Sequence, residues 1–196
     1  LAGYGITPTS WNIPPDNRRS QHVRISVSKQ EIVTGELLEE AWKLYCLAFD
    51  ELRSLAIQRH LMYRSEFDEV MAESRVAKYL VQDAESGTLW GISTMSNVLE
   101  TMPLISPDYF QARWPDRYAE DRCFCVGFVA AHPDSHGTGV FVEMVNSMAL
   151  AVGEAGGVVV LDFCTRNAEL YHLPEAVLRV GQASVPGYRG EPVDSQ

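Results

Sequence analysis

The sequence lacks any apolar run long enough to cross a membrane. Stretches such as CFCVGFVAA at 123–131 and VVVL at 158–161 fall well short of the roughly 18 residues a spanning helix needs, so no membrane partner is expected. CxxC pairs are missing too. The four cysteines, Cys46, Cys123, Cys125 and Cys164, are too few and too irregularly spaced for a disulfide scaffold or a zinc site. No metal is expected, and reduced, cytoplasmic chemistry is the simplest reading. Basic residues are scarce as well: 16 Lys and Arg face 26 Asp and Glu, for a formal net charge of −10 and a pI near 4.9. That balance argues against nucleic acid as a partner, because phosphate neutralisation needs a basic face. The one visible basic cluster, Arg18, Arg19 and Arg24, reads as a solvated tail. There is no GxGxxG and no GKS or GKT pair, so the common nucleotide loops are absent. The first twenty residues show no basic start followed by an apolar core and do not read as a secretory signal, although a chain beginning with Leu1 is compatible with a removed leader.

The 46% apolar content of 196 residues fits one globular domain. Residues 1–20, with Pro8, Pro14 and Pro15, read as an irregular extension, residues 21–182 as the domain, and residues 183–196 as a tail. HVRISVS at 22–28 alternates over Val23, Ile25 and Val27 and predicts a strand. A helical stripe then runs through Leu37, Ala41, Leu44, Tyr45, Ala48, Phe49, Leu52, Leu55 and Ala56, with Thr34 placed to cap it. Ser65 and Asp68 have capping-box spacing for a short helix to about Glu73. VAKYLVQD at 76–83 and TLWGISTM at 88–95 are joined by AESG and predict an antiparallel hairpin, with Gly87 free to take positive φ.

Residues 97–122 are too long for a simple turn, and Ser106 with Pro107 starts a helix through Arg113. With Tyr109, Phe110, Trp114 and Tyr118, this insertion either covers a site or packs on the sheet. CFCVGFVAA at 123–131 is apolar enough for a central buried strand, in which Cys123 and Cys125 share a face and read as small buried groups. Past the turn HPDSHGTG, the stripe Val140, Phe141, Met144, Val145, Met148, Ala151 and Val152 runs to Gly156 and Gly157. VVVLDFC at 158–164 predicts a second buried strand, making 123–164 a strand–helix–strand unit. Asn167 is placed to cap a turn, and Pro174 to begin a last helix with Ala176, Val177 and Val180.

The HPDSHGTGVF segment at 132–141 carries the chemistry. A strand that ends in a glycine-containing turn and enters a helix directly exposes unpaired backbone N–H groups at the positive end of the helix dipole, an arrangement that binds anions. Gly137 and Gly139 allow close approach of a pyrophosphate, and Thr138 offers a hydroxyl donor.

This order of elements resembles the Gcn5-related N-acetyltransferase superfamily over roughly residues 23–180. The family's pyrophosphate motif, Q/R-x-x-G-x-G/A, aligns with His136, Gly137, Thr138, Gly139, Val140 and Phe141. The resemblance implies a mixed, mostly antiparallel α/β sheet with a splayed central parallel strand pair flanked by helices. It implies acetyl-CoA or another acyl-CoA as co-substrate, with pantetheine held by the main chain of Val129, Ala130 and Ala131 and pyrophosphate by residues 136–140, Val140 included. Transfer would go to an amine of a small molecule or protein. Two positions depart from the motif: His136 keeps a donor but, being ordinarily mostly neutral at pH 7, loses a permanent charge, and Phe141 replaces a small residue. A Phe141 turned to the core leaves the grip intact, whereas one turned to the groove points to weak CoA binding or a carrier-protein donor.

In this family a tyrosine on the last helix commonly protonates the departing thiolate and a carboxylate or water chain serves as base. The tyrosine usually lies seven residues beyond a capping Asn, and here that place is Pro174; Tyr171 is the nearest substitute. Asp162, a carboxylate in an apolar strand that must be partnered, at an edge or raised in pKa, is the first candidate for the base. Cys164 reads either as an acyl-accepting nucleophile or as a small buried residue, and His132 and His172 as surface or capping histidines. The family usually closes its sheet with C-terminal strands, which the Pro-containing 183–196 segment is poorly suited to form. The final strands therefore look missing: either the domain is truncated at Gln196, or a partner chain, as in a homodimer, or the N-terminal extension completes the sheet.

Overall fold

The computed structural model describes residues 24–54, 61–102 and 105–192. The expected extension at 1–20, the start of the first strand at His22 and Val23, and the last four residues lie outside them. Five strands form one sheet in sequence order: β1 (Ile25–Gln30), β2 (Ala77–Asp83), β3 (Leu89–Ser96), β4 (Cys123–Ala131) and β5 (Val158–Val160). The first four are antiparallel, and β4 with β5 is parallel. This is the mixed α/β sheet expected from the sequence.

One face is covered by α1 (Gly35–Ala48) and α2 (Arg64–Ala72). Ala41, Leu44 and Tyr45 of α1 join Phe67, Met71, Leu80, Ile92 and Ala130 in one apolar cluster. The stripe does not continue as α-helix past Ala48; a 3-10 turn takes residues 50–54 instead. Leu55 and Ala56 lie outside the described residues. Thr34 is at the cap position, but its side chain makes no capping bond. The capping box expected at Ser65 and Asp68 is displaced. The cap residue is Tyr63, whose N–H donates to Glu66 Oε2 at 2.6 Å, while Asp68 accepts from Arg64 one turn away at 2.7 Å.

The other face is covered by α5 (Val140–Glu154), with α7 (Leu173–Ser184) packed against it. Val140, Met144, Met148 and Val152 are buried, as the periodicity requires. Gly91 of β3 lets α5 sit close: a Cβ there would meet Val140 Cγ1 at 2.7 Å and Met144 Sδ at 2.9 Å. The aromatic insertion forms α3 (Pro107–Arg113) and a helix not expected from the sequence, α4 (Pro115–Ala119). Phe110, Trp114 and Tyr118 pack with Leu99, Met102, Cys123 and Cys125. The insertion thus packs beside the beginning of β4, and Cys123 and Cys125 are core residues.

Three expectations are corrected here. The second parallel strand stops at Val160 instead of 164, because β4 turns away and leaves residues 161–164 no ladder to join. Asn167 lies inside α6 (Thr165–Glu169), whose cap is Cys164, and Pro174 is one position inside α7, after the cap His172 and Leu173. Beyond α7, Val185 packs on Gly153, Tyr188 on Gly181, and Glu191 pairs with Arg113 at 3.0 Å.

One buried charge was not signalled by pattern. Lys78 of β2 is fully buried, and its Nζ donates to the main-chain carbonyls of Glu31 at 2.7 Å and Glu73 at 2.6 Å. The second bond caps the C-terminal end of α2, where a cation is favoured.

Candidate active site

β4 and β5 pair over only three positions, Cys123 with Val158, Phe124 with Val159 and Cys125 with Val160. β4 then continues for six residues, Val126 to Ala131, with no strand on that side among the described residues. The two parallel strands form a fork. Its origin is visible in the β3–β4 register: Thr94 pairs with Phe128 and Met95 with Val126, so Gly127 is an extra residue, a bulge that bends the strand. A Cβ at 127 would fall 2.6 Å from Thr94 Oγ1 and 3.0 Å from Met102 Cε, so a side chain there would push the strands apart. Val129, Ala130 and Ala131 lie on the arm of β4 that borders the fork, paired with Ser93, Ile92 and Gly91 on the other edge.

At the end of this arm, residues 132–139 turn into α5. His132 Nδ1 accepts from the Asp134 N–H at 3.1 Å, which makes it a capping histidine, and its ring stands edge-on to Trp90. Gly137 and Gly139 have φ of 77° and 89°, values that favour glycine. No side chain caps α5, and its first closing bond runs from Glu143 N–H to Gly139 C=O at 2.9 Å. The N–H groups of Val140, Phe141 and Val142 therefore leave the helix start without intrahelical partners. The Thr138 hydroxyl donates to Ser135 C=O at 2.7 Å, so its proton is already committed inside the turn. His136 is exposed. Phe141 is half-buried and, unlike Val140, belongs to none of the core clusters.

The candidate catalytic residues flank the fork. Asp162 is exposed just past the end of β5, so its carboxylate escapes the burial cost that a strand position would impose. It remains within electrostatic reach of β4: burial first, and the Asp162 charge second, push the Cys125 thiol up to about 11. On the opposite side, Phe128 touches Phe49, with ring centroids 6.4 Å apart, two residues before Glu51. Glu51 Oε2 accepts from Arg166 at 2.6 Å, and the same Arg166 nitrogen lies 3.4 Å from Tyr171 Oη. The hydrogen bond with Tyr171, then the Glu51 charge, raises the Arg166 pKa. Tyr171 is half exposed, Cys164 is exposed, and His172 caps α7 with φ of 51°.

Gly127, Glu51 and Arg166 had no place in the sequence reading. A glycine inside an apolar strand was the available signal for the bulge; the ion pair spans 115 positions and has no local signature. Among the described residues, no group of three or more His, Cys, Asp or Glu could hold a metal, and no helix is long and apolar enough to cross a membrane.

No family model matches this sequence, and no curated protein matches it. Solved structures do. An aminoglycoside acetyltransferase from an uncultured soil metagenomic sample, in complex with trehalose, has a TM-score of 0.53 at 11% identity, covering 88% of this chain and 94% of that one. The same protein in complex with sisomicin gives the same values. The ribosomal-protein-S18-alanine N-acetyltransferase of Escherichia coli has a TM-score of 0.52 at 13% identity, covering 79% of this chain and 76% of that one. At such identities the likeness is one of fold. The chain shares the fold of these acetyltransferases, and the fork between β4 and β5 lies within it.

Proposed function

We propose that this chain is an N-acyltransferase that takes an acyl group, in the simplest case acetyl, from acyl-CoA and transfers it to an amine of a small molecule or protein. The observation that carries the proposal is the continuity of the free β4 edge with the uncapped start of α5. The edge offers alternating N–H and C=O groups that suit the amide-bearing pantetheine arm along Val129, Ala130 and Ala131. The α5 start, with His136, Gly137, Gly139 and Val140, offers main-chain N–H groups and a helix dipole to the pyrophosphate, while the Thr138 N–H closes the turn by donating to Ser135 C=O at 3.1 Å. The two αL glycines keep that approach clear of side chains.

The donor supplies an activated thioester carbonyl. Asp162 is the proposed base, taking a proton from the acceptor ammonium so that the nitrogen lone pair can attack the carbonyl carbon. As the carbon–sulfur bond breaks, Tyr171 is the proposed acid that gives its phenolic proton to the thiolate. The similar structures are named for an aminoglycoside acceptor and for a ribosomal-protein alanine, both amines. The net charge of −10 favours cationic acceptors through steering.

Release of free thiol from acetyl-CoA in the presence of sisomicin or an N-terminal-alanine peptide tests the proposal. Amine-dependent release that disappears in Asp162→Asn supports it; no release with either amine counts against transferase activity. Phe141 supports a second reading, a longer acyl group or a carrier-protein thioester as donor, because a bulky half-buried ring stands where the family motif has a small residue. Pro174 in the usual tyrosine place supports a third, a non-catalytic acyl-CoA sensor, which would bind donor without turnover.

A further inference from the structure

The fork has two arms, and an ion pair joins the elements that flank them. The first arm is β4 with the end of α1: Phe128 beside the bulge packs against Phe49, and the 3-10 turn holding Glu51 follows. The second arm is the chain after β5, which carries Asp162, then α6 with Arg166, then Tyr171. Arg166 reaches from the second arm to the first. One nitrogen donates to Glu51 Oε2 at 2.6 Å and lies 3.4 Å from Tyr171 Oη, while the guanidinium carbon is 5.9 Å from the Tyr171 ring centre. An exposed ion pair of this kind contributes little to stability, so its contacts are better explained by placement of the phenol. A planar, permanently charged guanidinium suits that task, since it can hold a carboxylate and lie against an aromatic ring together.

We propose that Arg166, anchored by Glu51, is a positioning residue that holds the Tyr171 hydroxyl at the mouth of the fork and stabilises the phenolate formed when that hydroxyl protonates the departing thiolate. This rests on the transferase reading above. The step is balanced: the amine nitrogen bonds to the carbonyl carbon, the carbon–sulfur bond breaks with its electron pair going to sulfur, and the phenolic proton goes to that sulfur. The tyrosine then regains a proton from solvent, and the two protons lost by the acceptor nitrogen, one before attack and one as the adduct collapses, leave in turn through Asp162 to solvent.

The test compares two acetyl donors. One is acetyl-CoA, whose alkyl thiolate needs a proton as it leaves. The other is an S-acetyl aryl thioester, whose thiolate is weakly basic and leaves without one. Wild type, Tyr171→Phe, Arg166→Met, Arg166→Lys and Glu51→Gln are assayed with sisomicin or the alanine peptide, alongside acetyl-CoA affinity and thermal midpoint. Loss of roughly tenfold to a hundredfold in kcat with acetyl-CoA is expected for Tyr171→Phe and Arg166→Met. Arg166→Lys should recover part of it, and the Tyr171→Phe/Arg166→Met pair should lose no more than the worse single change, because the two act as a unit. Turnover of the aryl thioester, acetyl-CoA affinity and thermal midpoint should hold within about twofold or two degrees. An equal fractional loss with both donors, or no loss with acetyl-CoA, overturns the positioning role and leaves the transferase reading standing. A wild type that binds acetyl-CoA but turns over neither donor overturns both.

Discussion

At the scale of single residues, the site depends on atoms that are missing as much as on those present. Gly127 has no Cβ because Thr94 Oγ1 occupies that space. Gly127→Ala is expected to destabilise the fold by roughly 1–3 kcal/mol, the usual cost of overpacking, and to weaken acyl-CoA binding by straightening the bulge. Adding Thr94→Ala removes the atom that is met and should restore most of the loss; strictly additive denaturation midpoints would show that the two positions are not coupled. His136 stands where the family motif places a charge or an amide, so His136→Arg should tighten acyl-CoA binding about fivefold, the worth of roughly 1 kcal/mol for an exposed charge contact. Calorimetry would reveal it, and unchanged affinity would place His136 outside the phosphate cradle. Lys78 bears on stability alone. Burial, opposed only in part by Glu73 and Glu31, pushes its amine from 10.5 down to about 8. Between those values the unfolded chain holds more protons than the folded one, so this lysine makes stability rise with pH across that window, by up to roughly 3 kcal/mol. Urea midpoints of wild type minus those of Lys78→Met should climb from pH 8 to 10.5; parallel profiles would contradict the burial of a protonated amine.

Among the elements, α5 matters most because its first turn is both core and the proposed binding surface. Val140 and Met144 are buried against Gly91, while no side chain caps the N–H groups of the same turn. Gly91→Val should lift this end of the helix, lowering acyl-CoA affinity severalfold along with roughly 1–3 kcal/mol of stability. Met148→Ala, further along the same buried face, should cost roughly 2–5 kcal/mol and leave affinity unchanged. Comparable affinity losses in both would mean that the turn is not the grip. The stripe of α5, the hairpin of β2 and β3 and the apolar run of β4 could be read from the sequence because burial imposes a local period on each. The extent of β5 could not, since VVVLDFC looks like strand throughout and only the departure of β4 at Gly127 leaves residues 161–164 unpaired. Lys78 sits in a strand whose alternation says nothing of the two carbonyls waiting for its ammonium. The Glu51–Arg166 contact was hidden for the same reason: its partners are brought together by tertiary structure alone.

Across the whole molecule, the proposed mechanism joins the fork, the uncapped helix start and the carboxylate past β5. Its central claim is that the turn at residues 136–140 grips the donor. Calorimetric titration of the wild-type chain with acetyl-CoA, repeated on Gly139→Trp after its far-ultraviolet circular dichroism has been matched to wild type, tests this most directly. The account predicts saturable single-site binding by wild type and its loss in Gly139→Trp, where a large side chain would stand in the pyrophosphate approach. No binding by wild type, or equal affinity in the folded variant, would contradict it.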